Sequence, residues 1–142
     1  MKSRDFQRSK VYALDRLFIK AARERGTYEA LALEDMEGIA KKIFPHNPPE
    51  VRDGRGRRAA GGAARYITMP VWSRNNIYTL HELSHTAILR LEDEPHLPAH
   101  GGRYMAVYKQ LLITFGILDS DTIDNLAKEA GVKIYTDTQK VN

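Results

Sequence analysis

The segment Thr79-Leu80-His81-Glu82-Leu83-Ser84-His85 decides how this chain is read. Around it Ile77, Leu80, Leu83, Ser84, Ala87, Ile88 and Leu91 keep a helical period, and Ser73 or Asn75 stands where a helix cap belongs. His81 and His85 are four residues apart, so on a helix their imidazoles share one face, one turn apart. Two imidazoles so placed can reach one metal ion at about 2.0–2.1 Å each. Glu82 follows the first of them, where its carboxylate can reach a water on the metal without ligating the metal itself. A shuffled chain of this composition is expected to contain roughly 0.01 such matches. The competing explanation is a helix with two surface histidines and a glutamate.

Two imidazoles do not complete a catalytic zinc site, which takes three protein ligands and keeps one position open. The chain has five His and no Cys. Disulfides, thiolate nucleophiles and Cys-based metal sites are therefore excluded, and any metal must be held by imidazole or carboxylate. Downstream of the motif stand Glu92, Glu94, His96 and His100. His100 is favoured as third ligand, because Gly101 and Gly102 permit the tight backbone that aims an imidazole back at the motif helix. His96 falls between two prolines in a surface loop, and Glu92 and Glu94 sit near the end of the motif helix and face solvent. His46, beside Pro45, reads as a surface residue.

Working outward, Val11, Leu14, Leu17, Phe18, Ala21 and Ala22 predict a helix from about Phe6 to Glu24, capped by Ser3 or Asp5 and stopped by Gly26. Leu33, Met36, Ile39, Ala40 and Ile43 predict a second, with Glu34, Asp35 and Glu37 in its first turn and Lys41 and Lys42 in its last, as the helix dipole favours. Pro45, Pro48 and Pro49 end it. The run from Tyr66 to Trp72 is β-branched and aromatic and reads as strand, with the Gly/Arg-rich stretch before it as a hairpin connection; Pro70 suggests an edge position. Such an edge could pair with an extended peptide. A polar link, Glu92 to Pro98, precedes a helix through Tyr104, Val107, Tyr108, Leu111, Leu112 and Phe115 that Gly116 stops. Asp119 and Asp121 open a short helix ended by Gly131, and Val132 and Ile134 suggest a last short strand.

The whole reads as one domain over residues 1–142, α+β, with helices packed on a small, mostly antiparallel sheet and the H-E-x-x-H helix at its centre. A hydrophobic fraction of 42% and a charged fraction of 28% fit a folded globular chain. No leader is visible after the basic start MKSRDFQRSK, and no run approaches the roughly 20 apolar residues of a membrane span. The expectation is a soluble cytoplasmic protein without a membrane partner. Much of the net charge of +4 comes from Arg52, Arg55, Arg57, Arg58 and Arg65. That cluster is of the kind that attracts phosphates of nucleic acid, against the plainer reading of a solvated loop.

The pairing of His81-Glu82-Leu83-Ser84-His85 with His100-Gly101-Gly102-Arg103-Tyr104 resembles SprT-like and related minimal zincin metalloproteases. The opening Arg4-Asp5-Phe6-Gln7-Arg8-Ser9-Lys10-Val11-Tyr12-Ala13, together with Pro98-Ala99-His100-Gly101, is similar to a metallohydrolase family of actinobacteria and their phages. The resemblance implies a zincin-like fold, Zn2+ held by His81, His85 and His100, and Glu82 as catalytic base. Tyr104 replaces the usual Phe or Trp, and the Cys-rich zinc ribbon of full SprT-like proteins is absent. A tyrosine near zinc can contact substrate or an oxyanion, although Tyr104 also opens a periodic helix and so suits the core. The expected activity is hydrolysis of a peptide or protein substrate. Zinc-dependent RNA cleavage and a non-catalytic, zinc-stabilised binding module are the alternatives.

Overall fold

The computed structural model describes residues 7–91 and 99–135. The chain forms two compact units: Tyr28–Leu91 is one, and Met1–Thr27 joined to Glu92–Asn142 is the other. The architecture is α+β, with five α-helices and a three-stranded mixed sheet among the described residues. None of these helices is long and apolar enough to cross a membrane.

In the Tyr28–Leu91 unit, α2 (Leu33–Ile43) carries Glu34 and Asp35 in its first turn and Lys41 and Lys42 in its last, and buries Met36 and Ala40. Its start is closed by the Asp35 carboxylate, which accepts from Ala32 N at 3.0 Å. Strands β1 (Glu50–Asp53), β2 (Gly61–Gly62) and β3 (Tyr66–Met69) follow, in the order β1-β3-β2. The expected mostly antiparallel sheet is not found. The longer ladder, Glu50↔Tyr66 through Asp53↔Met69, is parallel, and only Gly61↔Thr68 and Gly62↔Ile67 pair antiparallel. The Gly/Arg stretch is thus a crossover between parallel neighbours, and the hairpin turn is at 63–65, closed by Ala63 N donating to Tyr66 O at 2.8 Å.

The expected edge strand is also corrected: β3 is the central strand, paired on both sides. Pro70 lies just past it with φ −63° and caps a short 3-10 helix, Val71–Ser73, so Val71 and Trp72 leave the sheet. The ring of Pro70 thus costs the sheet no hydrogen bond. Helix α3 (Asn76–Leu91) then packs on β2 and β3. Asn75 caps it, its side-chain oxygen accepting from Tyr78 N at 2.8 Å. Its start is pinned to the 29–31 segment through Asn76 N to Glu29 O and Leu31 N to Arg74 O, both 3.0 Å.

In the other unit, α1 (Arg8–Arg25) and α4 (Gly102–Thr114) both pack on α5 (Ser120–Ala130). Val11, Leu14, Phe18 and Ala22 form the buried stripe of α1. Gly26, Gly116 and Gly131 follow the three helices with φ of 70–77°, the left-handed geometry that ends a helix without Cβ strain. The buried Asp15 accepts from the Tyr108 hydroxyl at 2.7 Å, and Phe18 meets the Tyr108 ring edge-on at 5.6 Å. The expected last strand does not form: residues 132–135 are irregular, with Val132 N closing α5 on Ala127 O and Tyr135 N donating to Gly102 O. The proposed caps Ser3 and Asp5 lie outside the described residues.

Candidate metal centre

Helix α3 buries eleven of its sixteen residues, including Thr79, His81, Glu82, Ser84 and Thr86. Burying polar groups is costly unless they are bonded. Thr79 and Ser84 return their hydroxyls to the carbonyls of Asn75 and Leu80, both at 2.6 Å. Thr86 instead donates across to Ala63 O at 2.6 Å, and Arg90 donates to Ala64 O at 2.7 Å, which lash the helix to the β2–β3 turn. His81 is fully buried and His85 half-buried. Their rings stand 5.2 Å apart at 67°. The Glu82 carboxylate is 3.9 Å from His81 Nε2.

Strand β2 explains how closely sheet and helix meet. A Cβ on Gly62 would stand 2.4 Å from the Glu82 carbonyl oxygen and 2.9 Å from His85 Cβ. Only glycine admits this approach. Gly62 was legible in the sequence only as a turn signal, because the atom it makes room for lies twenty residues away.

His100 is 5% exposed. Its ring is flanked by Tyr12 at 5.5 Å and Tyr104 at 5.2 Å, and Tyr104 in turn meets Tyr108 at 5.8 Å. Tyr104 is 1% exposed, a member of the core that supports the imidazole. The backbone of His100 is held by Gln7, whose amide nitrogen donates to His100 O at 2.9 Å and to Lys133 O at 3.2 Å. The same side chain accepts from Lys133 N. Gly101 caps α4 with an extended backbone (φ −77°) rather than a positive φ. Gly102 is needed for a different reason, the Tyr135 backbone, which a Cβ would meet at 3.1 Å. Gln7 and Tyr12 were not singled out by sequence reasoning; both fall in the Arg4–Ala13 stretch that carries the resemblance.

His81, His85 and His100 each offer one ring nitrogen, and the three lie within 4.8 Å of one another. This cluster can hold a metal ion. The rival ligands Glu92, Glu94 and His96 lie outside the described residues, and His46 is exposed. Comparison with known proteins gives no match: no family model, curated protein or solved structure aligns with this chain.

Proposed function

We propose that this chain is a zinc-dependent hydrolase of the zincin type, acting on peptide bonds, with His81, His85 and His100 as ligands and Glu82 as general base. The observation that carries the reading is the convergence of three imidazole nitrogens within 4.8 Å, with the Glu82 carboxylate 3.9 Å from one ligand ring. Nitrogen donors suit zinc, and three of them leave a position for water or substrate. When bound, the ion supplies a Lewis acid for the reacting carbonyl. Glu82 takes the proton of the attacking water as the new C–O bond forms, then delivers it to the leaving nitrogen as the C–N bond breaks. Tyr104 keeps the His100 ring in place through packing rather than reaching for substrate.

The peptide preference draws on β2. It is an edge strand by sheet order, and Gly62 abuts the main-chain carbonyl of Glu82 and the Cβ of His85. An extended peptide adding to that edge would carry its backbone past Glu82. The test is a peptide-library digest with protein of measured zinc content. Cleavage abolished by a chelator and restored by one equivalent of zinc supports the proposal. Stoichiometric zinc with no cleavage of any peptide would leave a structural site and overturn it.

A further inference from the structure

The arginine-rich crossover is a built structure. Asp53 accepts from Arg55 N at 2.9 Å, and Arg57 N donates to Gly54 O at 2.9 Å across Gly56, whose φ of 86° completes the turn. Gly54 is buried and seated against the end of β3: its N–H donates to Met69 O at 3.1 Å, and a Cβ there would meet Pro70 N at 2.7 Å. Arg55, Arg57 and Arg58 are exposed on this turn. Arg57, Arg58 and Arg65 make no ion pair among the described residues, whereas Arg52 pairs with Glu50 and Arg74 with Asp53.

Beside the turn stands Trp72, 49% exposed, with Val71 at 54%. The indole is fixed at two points. Its Nε1 donates to Arg58 O at 3.0 Å, and Tyr78 meets it edge-on at 5.1 Å and 83°. A large aromatic held by its N–H and by one ring contact, with half its surface in water, leaves area on which a flat group can stack. Unneutralised guanidinium groups project from the strand of chain that holds it.

We propose that the 54–58 turn and Trp72 form a binding surface for single-stranded nucleic acid, with a base stacked on Trp72 and phosphates on Arg57 and Arg58. Charge complementarity favours an anionic partner. The fixed indole favours a nucleic acid over an acidic polypeptide, because an unpaired base has a flat face to stack and a carboxylate chain has none. A duplex keeps its bases stacked on each other and would leave the indole unused. The surface shares no residue with the His81, His85 and His100 cluster and goes beyond the hydrolase reading.

Trp72 is the sole tryptophan of the chain, so its emission reports this surface directly. The experiment titrates the full chain, with chelator present, with oligothymidylate of about 16 nucleotides. Expected is quenching of Trp72 emission, and anisotropy of labelled oligonucleotide should give an affinity that falls with salt. Trp72→Leu, which keeps an apolar contact for Tyr78, should weaken binding about tenfold. Arg57→Ala and Arg58→Ala, at exposed positions that do not threaten folding, should each lower the log–log salt slope by about 0.7. Absence of quenching and binding at low salt overturns the proposal. So does tighter binding of polyglutamate, which would mark an acidic protein partner, or binding of duplex with unchanged emission.

Discussion

Helices α3 and α5 spend their polar residues in opposite ways. Helix α5 buries only Ile123 and Ala127 of its eleven residues, and its charged groups face water. Both its ends are finished by local chemistry: Asp119 accepts from Thr122 N at 2.8 Å, and Gly131 turns the chain left-handed. Helix α3 buries eleven of sixteen, two of them a histidine and a glutamate inside its most enclosed turns. The first pattern is what stability alone selects. The second carries a desolvation cost that hydrogen bonds and packing must offset.

Four measurements can break or sharpen that contrast. Glu82→Gln preserves the shape of the side chain, so it should cut peptide turnover by about 10²- to 10⁴-fold while zinc content and melting temperature stay near those of the parent. Full activity would remove Glu82 from the chemistry and return α3 to an ordinary buried helix. Gly62→Val meets a backbone oxygen that no rotamer change can clear, and should cost about 3 kcal/mol in denaturant unfolding. A neutral result would mean that β2 and α3 are less tightly apposed than described. Thr86→Val deletes the strap to Ala63 O and leaves that carbonyl short of a donor; a loss of about 1 kcal/mol is expected.

The smallest effect belongs to α5. The hydrogen bond from Thr122 N, with Arg25 at 2.8 Å and Thr122 Oγ1, holds the Asp119 carboxyl down at about 2 against an ordinary 3.8. A depressed carboxylate stabilises the fold above its unfolded value, and the contribution fades as pH falls from about 4 through about 2. Both partners are exposed to solvent, so the effect is screened. Asp119→Ala should flatten the acid limb of a stability–pH profile in that window and leave α3 and metal binding untouched.

Much of the helical framework was legible because its signals are local. The expected apolar periods mark α1, α2 and α4, and the glycines after α1, α4 and α5 stop the chain where positive φ is needed. The acidic-to-basic gradient of α2 matches its two ends. The sheet was less legible. Strand β1 buries no alternate face, with Val51 alone half-buried, and β2 is two glycines, so neither carries a period for a reader to find. Val71 and Trp72 have strand propensity, but the chain turns at Pro70 and they are spent on the surface. Parallel pairing depends on what the crossover does in space, and composition does not record it. In the site, the spacing of His81, Glu82 and His85 identified one helix face, and the glycines after His100 singled it out. The contacts that orient these groups, from Gln7, Tyr12 and Gly62, are long-range and left no local mark.

Gln7 has a kinetic consequence. Its amide spans 93 residues to reach the His100 carbonyl and 126 to reach Lys133. Two imidazoles on α3 become neighbours as soon as a single turn winds, an event of microseconds or less, whereas the Gln7 contacts that hold the His100 backbone need loop closures among the longest this chain can make. During refolding, helical ellipticity should therefore rise before the capacity to capture a spectroscopic ion such as cobalt, and simultaneous appearance of the two would mean that the Gln7 clasp is not the late step. A lag between the two would time the closing of the Gln7 clasp.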